Sequence, residues 1–395
     1  MTAAPLALPA LDDAPLLVWV LAPLVETDDP DLAWYSDYTQ SRAEYERAFA
    51  ALGITWRWQP VTLANHQEVV GSILRDSIGH EPVIFNLCDG DEINGSPGIS
   101  VIRCLRAHGL RFTGADEHFF DITTSKIVMK QAFERAGVPT SPWAVIPKDG
   151  AGINEVFNRL GGPLILKPAI SAGSMGITTK SVVENPQSLR AQLTKLRKGY
   201  HGWDLVGGGI FVERFVVGPE YTTFIVGSSD SRSGATVYAP VERLFNESLP
   251  PTEKFLSFDR LWGLYEEERP VEGGDGELWN YRKVPRAIAK RVREVSWAAY
   301  EAVGGRGYGR VDLRQDAATG EIYVLEVNAQ CGISESEDVT SIGAILRFAR
   351  RPFSHAVREI IAVSAEPRRS GPRLERARRS RSVPSPSPAA LSAAR

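Results

Sequence analysis

Gly309-Arg310-Val311-Asp312-Leu313, the polar turn Asp316-Ala317-Ala318-Thr319-Gly320 and Tyr323-Val324-Leu325-Glu326-Val327-Asn328 read together as two β-strands joined by a turn with glycine near its end. Side chains alternate faces along a strand. Val311, Leu313, Leu325 and Val327 are therefore expected on one apolar face, and Arg310, Asp312, Glu326 and Asn328 on the other. Such a hairpin gathers two carboxylates, an amide oxygen and a guanidinium on one rigid side. Oxygen donors suit a hard cation such as Mg²⁺, commonly held by one or two carboxylates plus substrate phosphates. The guanidinium beside them suits a carboxylate or developing negative charge. A hairpin with one solvated polar face is the competing reading.

Upstream of this hairpin the pattern is also strand-rich. Pro163–Ala169 reads as a strand, followed by the small-residue loop Ser171-Ala172-Gly173-Ser174-Met175-Gly176 and a second strand at Ile177–Val183. The loop lies between strands, so it is not a strand-to-helix phosphate loop, yet small residues still let backbone N–H groups approach phosphate oxygens. Lys167 lies just before it. Ile210–Val217 and Tyr221–Gly227 read as a strand pair separated by Gly218-Pro219. Glu213 there suits an exocyclic amine, backbone groups near Arg214 and Val216 suit a ring edge, and Glu220 suits ribose hydroxyls; plain core is the competing reading. Helices are expected at Thr123–Ala136, ended by Gly137 and Pro139, at Gln187–Leu196 and at Arg286–Val303, with a mostly helical stretch at Ile342–Ile361.

The first hundred residues differ. Strand-like runs at Leu16–Leu21, Ile54–Val61 and Pro82–Cys88 alternate with helix-like runs at Ser36–Leu52, Ala64–Ile78 and Gly98–His108. This alternation predicts a small parallel-sheet α/β domain. Ligands usually sit at the carboxyl ends of such strands. The acidic loop Asp89-Gly90-Asp91-Glu92-Ile93-Asn94-Gly95 is placed there and suits a substrate amine, or is a solvated turn.

The chain's 395 residues suggest two or three domains. A net charge of −3 hides an asymmetry: from residue 366 onward eight Arg against two Glu give +6, so the body carries −9. An acidic body argues against nucleic acid as a partner of the folded part. Three scattered cysteines form neither a disulfide framework nor a zinc spacing, which fits a reducing compartment. Leu16 to Ala22 is too short to span a bilayer. The expectation is a cytoplasmic protein without a membrane partner. The Pro-, Ser- and Arg-rich end reads as a disordered basic tail.

Five segments in order carry a family resemblance: "VIFNLCDG", "TTSKIVMKQAFERAGVPTSPW", "LILKPAISAGSMGI", "VERFVVGPEYT" and "GRVDLRQDAATGEIYVLEVNAQCGIS". Together they resemble ATP-grasp enzymes, most closely the D-alanine–D-alanine ligase branch, from about Pro82 to Leu346. The resemblance implies a mixed α/β and α+β chain with the ATP-grasp fold. Its divisions would be a loose leader over 1–14, a Rossmann-like α/β domain over 15–120, a central ATP-grasp subdomain over 121–208, a C-terminal one with the metal site over 209–365, and the tail over 366–395. ATP would lie between two antiparallel sheets. Lys126 and Lys167 would meet its phosphates, and Ser171, Gly173, Ser174, Met175 and Gly176 would close over them. Glu213, Arg214 and Val216 would read adenine, with Phe215 packed near it and Glu220 on ribose. Lys254 would reach the terminal phosphate from its own loop. Asp312, Glu326 and Asn328 would hold Mg²⁺ as two ions, with Mn²⁺ able to replace it. Arg310 would stabilise a tetrahedral species. The activity implied is ATP-dependent joining of a carboxylate to an amine through an acyl phosphate, with small amino-acid-like substrates and, as in many relatives, a homodimer.

Departures fall on the substrate side. The family's Gly-Gly-x-Ser-x-Glu segment is replaced by Ala22-Pro23-Leu24-Val25-Glu26-Thr27-Asp28-Asp29, leaving Glu26 or Asp37 as substitutes or as ordinary surface acids. Asn-Thr-x-Pro-Gly becomes Asn328-Ala329-Gln330-Cys331-Gly332, in which Cys331 reads as a small apolar filler. The family serine that holds the second substrate's carboxylate falls near Ser336 or on Glu337, where an inward carboxylate would be repulsive. The expectation is a ligase of this reaction type with a different substrate pair. A true D-alanine–D-alanine ligase, a small-molecule kinase and a non-catalytic nucleotide-binding module are the alternatives.

Overall fold

β1 (Leu16–Pro23), α1 (Thr39–Leu52), β2 (Thr55–Val61), α2 (His66–Asp76), β3 (Glu81–Asn86), α3 (Ile99–Ala107) and β4 (Arg111–Phe112) alternate as their sequence periods require. They form a parallel sheet of order β2-β1-β3-β4. β1 is apolar on both sides because both are covered. Leu17, Trp19 and Leu21 face one core and Val18 and Val20 another. The computed structural model describes residues 14–29, 37–266, 268 and 278–364. The leader up to residue 13 and the basic tail lie outside the described residues.

α4 (Glu117–Thr124) and α5 (Lys126–Ala136) follow. The single helix expected at Thr123–Ala136 is thus broken at Ser125, which is extended at φ −105°, ψ 116°. The break puts Lys126 at the first position of α5, where its backbone N–H donates to Ala169 O at 2.8 Å. β5 (Trp143–Val145), α6 (Ile153–Leu160), β6 (Leu164–Pro168), β7 (Val182–Val183), α7 (Pro186–Leu196) and β8 (Ile210–Arg214) build a second sheet, of order β5-β8-β6-β7. The strand expected over Ile177–Val183 shrinks to β7 because residues 179–181 turn into a short 3₁₀ segment. This sheet and its helices build a third apolar core.

β9 (Glu220–Val226), β10 (Thr236–Val237), β11 (Val241–Phe245), α8 (Phe258–Trp262), β12 (Trp279–Lys283), α9 (Arg286–Ala302), β13 (Tyr308–Gln315) and β14 (Ile322–Ala329) make the third region. Its sheet runs β12-β11-β9-β13-β14, with β10 beside β9, and is antiparallel throughout. The expected pairing of β8 with β9 does not occur: β8 pairs β5 and β6, whereas β9 pairs β10, β11 and β13. Gly218-Pro219 carries the chain from one sheet to the other. At φ +148° and with Gln315 O 2.1 Å from the place a Cβ would take, only glycine fits at 218. α10 (Ser341–Ala349) and α11 (Phe353–Val363) close this region.

Opposite faces of β9 enter the same two cores as β1, through Tyr221 and Ile225 on one side and Phe224 and Val226 on the other. The first and third sheets are therefore tied by shared apolar burial, worth about 1.5–3 kcal/mol for each large side chain removed from water. The second sheet's core takes in Phe258 of α8 from the third region, and the space beside it is the cleft described next. Among the described residues no helix is long and apolar enough to cross a membrane.

Candidate active site

The β13–β14 hairpin sets the floor of the site. Arg310 pairs with Asn328 and Asp312 with Glu326 across it. The register then shifts, so that Leu313 faces Val324 and Leu325 is the extra residue of a β-bulge. Leu325 therefore does not share the buried face with Val311, Leu313 and Val327. It borders the cleft beside Glu326.

A cavity of about 650 Å³ gathers residues of all three sheets. Lys126, Lys167, Arg310, Asp312, Glu326 and Asn328 all border it. The Asp312 carboxylate accepts from Arg310 Nε and Nη2 at 3.1 and 3.0 Å, from the Thr222 hydroxyl at 2.9 Å and from Asn328 Nδ2 at 2.9 Å. Lys126 Nζ lies 3.4 Å from Glu326. Burial pulls the Glu326 carboxyl upward, but Lys126, Lys167 and Arg310 outweigh it and hold it below the ordinary range. Burial opposes the Arg310 charge, yet Asp312 and Glu326 raise its pKa, so it stays a cation. Two carboxylates and one amide thus converge; among the described residues no three His, Cys, Asp or Glu side chains come together as a self-sufficient metal cage. Such a set fits a hard cation that takes its remaining oxygens from substrate.

The lysines are positioned by a carboxylate. Glu213 is 2% exposed and holds Lys130 at 2.5 Å and Lys167 at 2.7 Å. Burial would raise the Glu213 pKa, but the two ammonium groups overcome it and bring it to about 2. Glu213 is therefore occupied by cations, and an amine-reading role would have to share it. Lys130 was not expected in the site. Its spacing of four from Lys126 puts both on one helix face.

Glu220 is likewise engaged on both oxygens, by Arg243 and by Arg314 at 3.0 Å. Arg314 also donates to Val216 O at 3.0 Å, and its guanidinium lies 4.9 Å from the centre of the Phe215 ring. The Val216 N–H has no partner among the described residues. Arg214 uses its own N–H on Pro142 O and its carbonyl on the Ser141 hydroxyl. Phe215 meets Phe255 edge-on at 5.7 Å, and with Ile165 and Ile177 they form a small apolar slot bordering the cavity. Phe255 and Ile177 are additions that the sequence did not single out.

Ser171, Gly173 and Ser174 border the cavity, whereas Met175 is buried in the core of the second sheet and Gly176 packs near Pro168, Leu196 and Leu205 behind the loop. Lys126 Nζ donates to Ser171 O at 2.7 Å. From the third region, Trp262 Nε1 donates to Gly173 O at 2.9 Å, the Ser174 hydroxyl donates to Leu256 O at 2.9 Å, and Phe258 N donates to Ile177 O at 2.8 Å. Lys254 lies in this same segment. Its carbonyl accepts from Arg314, and it does not itself border the cavity.

At the other end the wall comes from the first sheet's loops and from the segment after β14. Asp37, Asp89, Asp91 and Cys331 border this end. Glu26 does not. Glu337 also borders it but is held by Arg347 through both oxygens, and Ser336 is absent from the wall. After β14 the serine that reaches the cavity is Ser341, the first residue of α10; it is 1% exposed and its hydroxyl has no partner among the described residues. The α10 N-terminus is capped by Thr340, whose hydroxyl accepts from Ile342 N at 3.3 Å.

A family model described as the D-ala D-ala ligase C-terminus matches residues 132–342. A D-alanine–D-alanine ligase of Desulforudis audaxviator is 26% identical over 266 residues, covering 66% of this chain and 75% of that protein. One from Xanthomonas axonopodis pv. citri is 23% identical over 315 residues, covering 75% and 88%. Among solved structures, a D-alanine–D-alanine ligase from Bacillus anthracis complexed with ATP superposes with a TM-score of 0.60 at 17% identity, over 89% of this chain and 97% of that one. The VanG D-Ala:D-Ser ligase from Enterococcus faecalis gives 0.61 at 16% identity, over 89% and 100%.

Proposed function

Since the chain belongs to the D-alanine–D-alanine ligase family of ATP-grasp enzymes, we propose that it joins a carboxylate to an amine at the expense of ATP, through an acyl phosphate, on a substrate pair other than two D-alanines. The observation that carries this reading is the meeting of Lys126, Lys167, Arg310, Asp312, Glu326 and Asn328 at one cavity. Lys126 and Lys167 suit phosphate oxygens, Arg310 suits the negative charge of a tetrahedral species, and the three oxygen-bearing side chains suit Mg²⁺, two ions or Mn²⁺ in its place included; Asn328 presents its oxygen once its amide is turned over. Bound there, such a metal supplies charge neutralisation to the phosphates and a template for in-line transfer.

The remaining roles follow from what each side chain touches. Ser171, Gly173 and Ser174 cover the phosphates, with Met175 and Gly176 supporting the loop from behind. The slot of Phe215, Phe255, Ile165 and Ile177 takes the flat base, and the Val216 N–H reads its edge beside Arg214. Glu213 holds Lys167 in place. Glu220 and Arg243 face the ribose together. Lys254 stands off the cavity wall and would reach the terminal phosphate on movement of the segment that borders the loop. The acid is activated at its carboxylate because oxide is a poor leaving group and phosphate a good one. Positioning and charge neutralisation dominate such a transfer. The amine then attacks the activated carbonyl carbon, Arg310 stabilises the oxyanion, and phosphate departs.

Substrates other than two D-alanines are favoured by the acidic wall, by the absence of the family's first-loop glutamate and by the engagement of Glu337 with Arg347. Ser341, with α10 behind it, takes the place of the serine expected near 336–337 and suits the carboxylate of the amine substrate. Phosphate release from Mg²⁺-ATP, measured with single amino acids and with pairs, tests the proposal. Highest turnover with D-alanine alone removes the altered pair, and ADP with a phosphorylated product in place of free phosphate makes the enzyme a kinase.

The loop makes a separate prediction. Gly173 has φ +55°, and a Cβ there would lie 2.8 Å from the Trp262 ring. Gly173→Val is expected to weaken Mg²⁺-ATP binding about tenfold, from the ~1–2 kcal/mol cost of a left-handed residue together with the displaced indole. Isothermal calorimetry reads this directly, and unchanged affinity would remove the loop from the nucleotide site.

A further inference from the structure

The connection from α7 to β8 runs over residues 197–209, where about two to six residues commonly suffice. It lies outside all five segments that carry the family resemblance. Part of it folds into a tight hairpin: Tyr200 N donates to Trp203 O at 3.1 Å, and Trp203 N donates to Tyr200 O at 2.7 Å. The two residues between them, His201 and Gly202, have φ +45° and +81°, as a two-residue turn between twisted strands demands. A residue other than glycine seldom adopts this conformation, and where one does its surroundings hold it there.

All three regions of the fold hold this hairpin. In the first region, Asp29 Oδ2 lies 3.1 Å from His201 Nδ1, and these two side chains are 32% and 27% exposed. Asn94 exchanges two hydrogen bonds with the backbone of Asp204: Asp204 N donates to Asn94 Oδ1 at 2.8 Å, and Asn94 Nδ2 donates to Asp204 O at 3.3 Å. From the third region, Glu266 accepts from the Tyr200 hydroxyl at 3.1 Å, and the Phe258 ring meets Tyr200 edge-on at 5.0 Å. In the hairpin's own region, Asp204 Oδ1 accepts from Val206 N and Gly207 N, both at 2.8 Å, and Tyr200 and Trp203 pack on the second sheet's core.

This fastening fixes the place of one large side chain. Trp203 is half-buried and borders the cavity. Asn94, bonded to the residue after it, borders the cavity too and belongs to the first-sheet loop that walls the end opposite the Phe215–Phe255 slot. The indole therefore stands at the substrate end and not at the nucleotide end. Apolar wall continues on both flanks of the hairpin. Val25 lies 3.8 Å from the place a Cβ on Gly95 would take and Ile170 lies 2.7 Å from that on Gly208, and both border the cavity. An aromatic ring supplies a large, stiff apolar surface.

Resting on the ligase reading above, we propose that Trp203 is a specificity-determining residue: the side chain of the substrate bound beside the first sheet's loops packs against the indole, which limits how large that side chain can be. The hairpin is the roof over that substrate. Asp29 and Asn94 keep the roof down from the first region, and Glu266 and Phe258 from the third.

The test uses the full-length enzyme with Mg²⁺-ATP and pairs drawn from glycine, alanine, valine, leucine and phenylalanine in D and L form, with phosphate release as the readout. Trp203→Ala is expected to raise the ratio of kcat/KM for larger over smaller side chains about tenfold or more, since even one methylene in an apolar pocket alters such ratios by about 10–200-fold. Trp203→Phe is expected to raise it less. Calorimetry is expected to show Mg²⁺-ATP affinity within about twofold of wild type in both. Asp29→Asn is expected to raise KM for the amino acids about two- to fivefold, the scale of a partly exposed ion pair. A merely structural role for the hairpin would lower stability or turnover without moving the size ratio, so a folded Trp203→Ala enzyme with an unmoved ratio, or one shifted toward smaller side chains, overturns the proposal. If Trp203→Ala does not fold, Trp203→Phe decides on the same ratio. An unchanged KM in Asp29→Asn overturns the fastening on which the proposal stands. Absence of phosphate release from every pair defeats the ligase reading itself, and the proposal with it, an outcome distinct from an active enzyme whose ratio does not move.

Discussion

Arg310→Ala is expected to lower kcat about 10²–10³-fold, the usual cost of deleting one donor to a developing oxyanion, while Mg²⁺-ATP affinity stays within a few-fold. The separation of the two effects comes from the geometry. Arg310 spends Nε and Nη2 on Asp312 and leaves Nη1 without a partner among the described residues, at the wall of the cavity. The charge is secure because Asp312 and Glu326 raise its pKa against the opposing effect of burial. Deleting the guanidinium frees the Asp312 carboxylate, so metal binding does not suffer. Arg310→Lys is expected to recover only a small part, because a point charge cannot hold Asp312 with two donors and offer a third. Steady-state phosphate release together with nucleotide calorimetry checks both halves. A kcat within threefold of wild type, or a parallel loss of ATP affinity, would contradict the role.

Lys130→Met is expected to destabilise the fold by about 3–5 kcal/mol, the cost of breaking a buried ion pair from one side. Lys130 and Glu213 are 1% and 2% exposed and lie 2.5 Å apart, so removal of the ammonium leaves a buried carboxylate with Lys167 as its only cation among the described residues. In thermal unfolding this should read as a fall on the order of 10 °C. The double variant Lys130→Met with Glu213→Leu should lose less than the single one, since two apolar side chains leave no dry charge. The same pair sets an acid limit. Glu213 is carried from its ordinary 4.5 to about 2, so its folded form binds the proton less readily than its unfolded form. Its stabilisation is complete above 4.5 and is lost as pH falls toward 2. A Lys130→Met protein that melts within 2 °C of wild type, with an unaltered acid transition, would contradict the account.

These residues also show what a sequence carries and what it withholds. The four polar groups of the hairpin are legible because strand alternation is a local rule, and Arg310, Asp312, Glu326 and Asn328 do meet. Leu325 escapes that rule because a bulge adds a residue, and nothing in its own neighbourhood announces one. Gly218-Pro219 looks like a hairpin turn, yet turn chemistry does not name the strand that a segment will pair with. β8 and β9 enter different sheets for reasons set by β6 and β13, which lie about fifty and ninety residues away in the chain. The fates of Glu213 and Glu220 are of the same kind. Their cations come from a helix and from three other strands, so a reading of either strand alone makes both acids look available to a ligand. Ser341 stands beyond the expected position because the stretch after Cys331 runs on to residue 340 before α10 begins.

The bonds from Trp262, Leu256 and Phe258 to the glycine-containing loop have a kinetic meaning. Each contributes roughly 1 kcal/mol, and together they couple two stretches of backbone from different regions into a single flap. Neither half swings without carrying or shedding the other. With the loop over the nucleotide as proposed, departure of spent nucleotide would have one gate and one rate, and loosening a hydrogen bond such as that of Ser174 should speed exit before it weakens anything else.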